Sequence, residues 1–211
     1  MPQKEARDIA IDRIREQLFR DLPLEDATDL ETLCIGLGLT VPRNGTSELR
    51  VFGKDLRLDW HELELSASAP DGSGRLPASQ TDRILLFHYL ASQGPTRAGG
   101  DLISFRDLTG GIFYWEPFRS RTVAPLAKRF GDDHAGLRKA LGKYDWEEVA
   151  AGDFGARVHG FGNLWLTLVC YRSEDGLPAE INALFDPCLK KVFQAEDAAV
   201  FASRICIGLL G

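Results

Sequence analysis

The octet LWLTLVCY at residues 164–171 limits what this chain can fold into more than any other segment. In an extended chain successive side chains alternate between faces, so Leu164, Leu166, Leu168 and Cys170 share one side and Trp165, Thr167, Val169 and Tyr171 the other. Both sets are largely apolar. A strand of that kind needs cover on both faces, which places it in the interior of a sheet. Residues 156–161 and 180–185 read as its neighbours, joined to it by turns at Gly162-Asn163 and at 173–176. Strands joined by turns this short pair antiparallel.

Elsewhere the apolar period is helical. Residues 3–21 predict an amphipathic helix with Ala6, Ile9, Ala10, Ile14 and Leu18 on one face, ended by Leu22-Pro23. A second helix carries Ala27, Leu30, Leu33, Cys34 and Leu37, with Gly36 and Gly38 as stop signals. The period then falls to two through Leu49, Val51, Phe52, Leu56, Leu58, Trp60, Leu63 and Leu65, with a hairpin turn expected at Gly53-Lys54-Asp55. Residues 66–80, rich in Ser, Pro, Gly and Ala, read as a connecting loop. A helix capped by Ser79 or Thr81 follows and stops at Gly94-Pro95. Its apolar residues, Ile84 to Phe87 and Tyr89 to Ala91, cover nearly every direction, which predicts a central buried helix with His88 inside it. Residues 101–115 read as two short extended pieces joined at Thr109-Gly110-Gly111. A helix from about residue 125 to 130 has Pro125 in its first turn, Asp132 caps a further one through Leu141, and residues 196–209 close the chain as a helix. The expectation is an α+β fold of antiparallel strands packed with helices. All 211 residues fit one compact domain: a helical start and small meander over 1–65, a loop over 66–80 and a core over 81–211.

Charge is distributed unevenly. Residues 83–129 hold seven Lys/Arg against Asp101, Asp107 and Glu116, a balance of +4; the whole chain is −6, so the remainder carries −10. A basic, glycine-punctuated centre in an acidic protein suggests a pocket for an anion. An overall pI near 5.3 argues against nucleic acid as a partner. The start is charged throughout, and no run approaches the about 20 apolar residues that span a membrane, so a cytoplasmic protein is expected. Cys34, Cys170, Cys188 and Cys206 contain no CxxC pair, so neither a metal site nor an iron–sulfur cluster is expected from them.

Six residues of the centre are candidates for holding an anion. Gly110 and Gly111 allow positive φ and close approach to backbone N–H groups, beside Ser104 and a guanidinium from Arg106. Arg119 and Arg121, two apart, point the same way if extended and add to that charge. Each has a plainer explanation: a turn that needs its glycines, and arginines paired with acids such as Asp107 or Glu116. His88 is either a metal ligand or general base, or a core histidine bonded to a carbonyl or carboxylate, the commoner outcome. A Ser104/His88/Asp107 triad lacks the Gly-x-Ser-x-Gly elbow that would support it.

The runs RILLFHYL, LISFRDLTGGIFYW, PFRSRTVAPLAKRFG and LFDPCLKKVFQAED, in that order, resemble the bacterial and archaeal domain-of-unknown-function family 3786 over roughly residues 80–205. The resemblance implies a setting rather than a reaction. Its members are typical of anaerobes, and some carry an added iron–sulfur domain like that of corrinoid iron–sulfur proteins. That association implies a role near corrinoid, tetrapyrrole or one-carbon metabolism, with a corrinoid or other tetrapyrrole as the cofactor to expect. No cysteine-rich cluster segment is read in these residues, so no iron–sulfur domain is expected, and Glu174-Asp175-Gly176-Leu177-Pro178 stands where the resemblance implies an acidic pair followed by Phe-Pro.

The leading expectation is therefore a non-catalytic accessory protein that holds a small anionic molecule or a protein partner at its basic centre. Two alternatives stand beside it. One is an enzyme of transferase or hydrolase type using Ser104, Arg106 and a carboxylate from 174–186. The other is a protein–protein interaction module whose Ile112-Phe113-Tyr114-Trp115 run meets a partner. A concave pocket lined by Arg106, Gly110 and Arg119 would mark ligand binding; an exposed apolar patch would mark the interaction module.

Overall fold

The computed structural model describes residues 2–93 and 100–211. Its contacts form two compact units: residues 1–97 with 161–163, and residues 98–160 with 164–211. Each holds helices and an antiparallel sheet, so the fold is α+β. The expected stop at Gly94-Pro95 lies outside the described residues.

The first unit opens with α1 (Pro2–Asp21) and α2 (Ala27–Leu37). Asp26 caps α2 by accepting from the N–H groups of Thr28 and Asp29, and Gly38 closes it in the left-handed conformation at φ +65°. Gly36, expected as a stop, lies inside the helix. In α1 the buried side is Ile11 and Leu18, whereas Ile9 is exposed. Two apolar stripes satisfy the helical period there, and packing against α3 (Gln80–Ala91) selects the one that holds Ile11.

Between them lies a four-stranded sheet in sequential order: β1 (Thr46–Val51), β2 (Lys54–Asp59), β3 (Glu64–Ser68) and β4 (Arg75–Pro77). The β1–β2 turn is Phe52-Gly53, both at positive φ, one residue earlier than expected. The stretch expected as a loop over 66–80 holds the end of β3 and all of β4, paired from Ser66↔Pro77 to Ser68↔Arg75. Backbone pairing there needs no apolar side chains, so periodicity could not show it.

Helix α3 begins where expected, with the Ser79 hydroxyl accepting from the Asp82 N–H. Leu85, Leu86, Phe87, Tyr89 and Leu90 are buried, but His88 is only half-buried. The Tyr89 hydroxyl donates to the Leu37 carbonyl at 2.5 Å and accepts from the Asn163 N–H at 3.1 Å. Phe161 meets the rings of Tyr89 and Phe52 edge-on, 5.4 and 5.5 Å between centroids. Aromatic packing and a satisfied hydroxyl thus fix this core.

In the second unit the strands are β5 (Ile103–Ser104), β6 (Trp146–Val149), β7 (Phe154–Phe161), β8 (Leu164–Tyr171) and β9 (Glu180–Phe185), in the order β5-β9-β8-β7-β6. The octet is the middle strand, as its two apolar faces require. Leu166, Leu168 and Cys170 pair with Phe185, Ala183 and Ile181 of β9, all buried. Gly160 lets the ring of Phe201, on α8 (Ala195–Leu210), press onto β7; a Cβ at 160 would sit 2.3 Å from that ring.

The central segment differs from expectation. After β5, residues Phe105–Asp107 form a 3₁₀ turn and Gly111–Arg121 form helix α4, not a second extended piece. Gly110 at φ +81° turns the chain into the helix, and Gly111 is required because a Cβ would lie 1.9 Å from the Phe105 carbonyl oxygen. Phe118 then stacks on Phe105 at 4.0 Å, which fixes the face of α4. Helix α5 (Val123–Phe130) follows at once. The next helix, α6 (His134–Leu141), is capped by Asp133, whose carboxylate accepts from the Gly136 N–H at 2.8 Å. Asp132, the expected cap, instead accepts from Ser173. A short helix α7 (Leu189–Val192) precedes α8. Among the described residues no helix is long and apolar enough to cross a membrane.

Candidate functional site

A cleft of about 580 Å³ opens in the second unit between the α4–α5 elbow and the β8–β9 hairpin. Trp115 and Arg119 are four apart on α4 and share a face, because four residues nearly complete a turn. Val123, Ala124 and Ala127 of α5 extend that wall with small apolar groups. The opposite wall is Tyr171 and Arg172 at the end of β8, the segment 177–179, and Glu180, Ile181 and Asn182 of β9, with Glu174 at the rim.

Local chemistry fixes each wall. The β8–β9 connection is a two-residue reversal, with Glu174 bridged to Leu177 across Asp175 and Gly176, both at positive φ. Its base is tied down by Asp132, which accepts from both the N–H and the hydroxyl of Ser173 at 2.9 Å. Those bonds hold the Asp132 carboxyl below the usual range. The Arg172 N–H donates to the Asp153 carboxylate at 2.8 Å. On the helical wall, the Arg106 guanidinium lies over the Trp115 ring, 4.3 Å from its centroid, and holds that indole in place.

The structure separates the residues expected to act together. Arg119 lines the cleft, half-exposed, with Glu116 at 3.6 Å. Arg106 is exposed and reaches the cleft only through Trp115. Arg121 ends α4, and residues two apart on a helix point to different sides, so it does not join Arg119. Ser104 donates both its N–H and its hydroxyl to Asp107, at 2.7 and 2.8 Å, and so caps the 3₁₀ turn; Asp107 is held below the usual carboxylate range as a result. The N–H of Gly111 already donates to the Leu108 carbonyl, so the two glycines serve the turn. His88 belongs to α3 in the first unit. Sequence reasoning missed Trp115, Tyr171, Arg172 and Asn182 as wall residues.

Ile112 and Phe113 in the first turn of α4 are 72% and 93% exposed. The sheet face away from α8 carries a different constellation. Arg157 of β7 donates to Glu147 at 2.9 Å and to Asp186 at 3.2 Å, with its guanidinium 4.5 Å from the centroid of Trp165. Burial opposes its charge, but the two carboxylates outweigh burial and raise its pKa.

Among the described residues no group of three or more His, Cys, Asp or Glu is arranged to hold a metal ion. Cys34, Cys170 and Cys206 are buried and Cys188 half-buried. Burial pushes Cys170 and Cys206 up to about 12 and Cys34 to about 11; burial and then Asp186 push Cys188 to about 11. All four are thiols, not thiolates, at neutral pH.

The family model described as "Domain of unknown function (DUF3786)" matches residues 29–207 of the 211. The likeness therefore extends through α2 and the first sheet, well before the segments that carry it most visibly. No curated protein and no solved structure matches the chain.

Proposed function

Because the chain belongs to the family of Domain of unknown function (DUF3786), which names no reaction, we propose a function from the cleft itself: non-catalytic binding of a small molecule that carries an anionic group on a flat apolar body. One observation carries this reading. Arg119 and Arg172 line one cleft together with Trp115 and Tyr171, so charge and ring faces are offered to the same occupant. Glu174 and Glu180 line it as well, so the lining carries no net charge. Affinity then comes from directed, charge-assisted bonds to the arginines, and the glutamates favour a ligand that also donates hydrogen bonds. At about 580 Å³ the cleft is in the range that takes a drug-sized ligand. A catalytic reading finds less support, since Ser104 is committed to Asp107. Identification of what co-purifies with the protein tests whether the ligand belongs to corrinoid, tetrapyrrole or one-carbon metabolism.

Isothermal titration with phenyl phosphate and benzoate tests the site. Saturable binding is expected, and Arg119→Ala and Arg172→Ala should each remove a charge-assisted contact of about 1.5–3 kcal/mol, roughly ten- to a hundredfold in affinity. Arg106→Ala should weaken binding less, because it acts through the Trp115 ring. Unchanged affinity in both cleft-arginine variants would remove the reading.

A second reading is favoured by Ile112 and Phe113. Two adjacent large apolar side chains this exposed on one helical turn are a contact surface for a protein. Phe113→Glu should abolish any self-association seen by analytical ultracentrifugation while leaving phenyl phosphate binding intact.

A further inference from the structure

The cleft between the α4–α5 elbow and the β8–β9 hairpin presents charge of both signs, and its glutamates are not spent on its arginines. Arg119 stands on the helical wall, Arg172 and Glu180 on the strand wall, and Glu174 at the rim. Other glutamates of this unit are engaged: Glu147 meets Arg157 at 2.9 Å, Glu148 meets Arg138 at 2.7 Å and Glu116 meets Arg119 at 3.6 Å. Among the described residues neither Glu174 nor Glu180 takes part in an ion pair. Glu180 opens β9 and pairs with Tyr171 across the hairpin, so the two side chains share one face of the sheet. Asn182, two residues further along β9, lies on that face as well.

A ligand that fills the cleft takes water from all of these groups together. A plain anion compensates the two arginines but leaves the Glu180 carboxylate short of water and facing charge of its own sign. A plain cation does the reverse. An occupant with both signs gives each group a partner: a carboxylate for the arginines, and for Glu180 an ammonium whose three donors can be shared with the Asn182 amide oxygen. Arg172 follows Tyr171 directly, which sets it one residue away from the position that pairs with Glu180. Opposite charges offered so close together suit a ligand that carries its own two charges on one carbon.

We propose that the ligand of this cleft is a zwitterion of the aromatic amino-acid class, its carboxylate on Arg119 and Arg172, its ammonium on Glu180 and its ring against Trp115 and Tyr171. The inference rests on the proposed function, which reads the cleft as the site of an anionic group on a flat apolar body, and it names the class of that ligand. The glutamates that leave the lining without net charge thereby become the source of selectivity.

The test uses the full chain with three probes that share one ring: L-phenylalanine, 3-phenylpropionate, which lacks the ammonium, and phenethylamine, which lacks the carboxylate. Isothermal titration should show phenylalanine binding at least tenfold more tightly than either deletion. Glu180→Gln keeps the size of the side chain and removes its charge. In that variant the ratio of the phenylalanine and 3-phenylpropionate affinities should fall to near one, with the melting temperature unchanged because Glu180 is exposed. Equal affinity for phenylalanine and 3-phenylpropionate in the parent, or a ratio that Glu180→Gln does not alter, would overturn the proposal. If phenyl phosphate and 3-phenylpropionate bind and phenylalanine gains nothing over them, this inference falls while the proposed function stands; if none of them binds, both fall.

Discussion

Helix α4 carries the cleft wall, so its phase is the most consequential local feature, and two phenylalanines five residues apart test it. Phe118 is 1% exposed, stacked on Phe105 at 4.0 Å and within 6.4 Å of Phe185. Phe113, on the same helix, is 93% exposed. Replacing a buried Phe by Ala costs about 3–5 kcal/mol through lost transfer energy and a cavity, and the stacked partner adds about 0.5–1.5 kcal/mol. An exposed site should change stability by about 0.5 kcal/mol or less. At about 2–4 °C per kcal/mol for a chain of this length, a loss of about 4 kcal/mol lowers the melting temperature by roughly 8–16 °C. Phe118→Ala should therefore melt well below the parent by circular dichroism or calorimetry, and Phe113→Ala should match it. Equal losses, or a larger loss from Phe113→Ala, would refute the helical phase and with it the shared face of Trp115 and Arg119.

Ser104→Ala should raise the Asp107 pKa toward the ordinary carboxylate value, because the hydroxyl and its well-placed N–H are what lower it; carbon-detected NMR titration reads the shift. Gly111→Ala should lower stability by about 1–3 kcal/mol in urea unfolding, since its Cβ meets the Phe105 carbonyl rather than a movable side chain. The raised thiols give stability that is complete below their ordinary value of 9.0 and is lost as pH climbs toward about 12, because the folded protein holds those protons longer than the unfolded chain. Melting temperature should accordingly fall through that alkaline window, and less steeply in Cys170→Ala after correction for its own lower starting stability. Arg157→Ala should cost about 3 kcal/mol by leaving Asp186 buried without its guanidinium, and Asp186→Asn in the same background should recover part of that loss.

Much of the fold was legible because burial writes a period into the chain. β8 and β9 fall on the residues expected, and the ends of α8 differ by one residue, because each has a continuous apolar face whose phase is unambiguous. The central segment was misread for the same reason in reverse. Ile112 to Trp115 are all apolar and alternate with nothing, so they fit a strand or a helix equally; the choice was made by the Phe105 carbonyl over Gly111 and by the Phe105–Phe118 stack. Asp132 and Asp133 are chemically equivalent caps, and only the position of Ser173 assigns them different work.

The site was less legible than the fold. Positive charge concentrates in the centre of the sequence, but helical geometry sends Arg119 and Arg121 to different sides and sets Arg106 on Trp115. The second arginine of the cleft, Arg172, is over fifty residues further along the chain and is brought in by the β8–β9 hairpin. Arg157 and Asp186 were likewise invisible as a pair, since β7 and the end of β9 meet only through the sheet order. Contacts made by sheet topology leave no local spacing to read.

The most direct measurement of the cleft is a two-dimensional NMR titration of the full chain with phenyl phosphate, following the indole N–H of Trp115 and the backbone of residues 171–182. The account predicts saturable shifts concentrated on that indole, on Arg119 and Arg172, and on the β8–β9 hairpin, and in Arg119→Ala the same shifts should need roughly ten- to a hundredfold more ligand. Shifts confined to other parts of the chain, or no shift at saturating ligand, would contradict it.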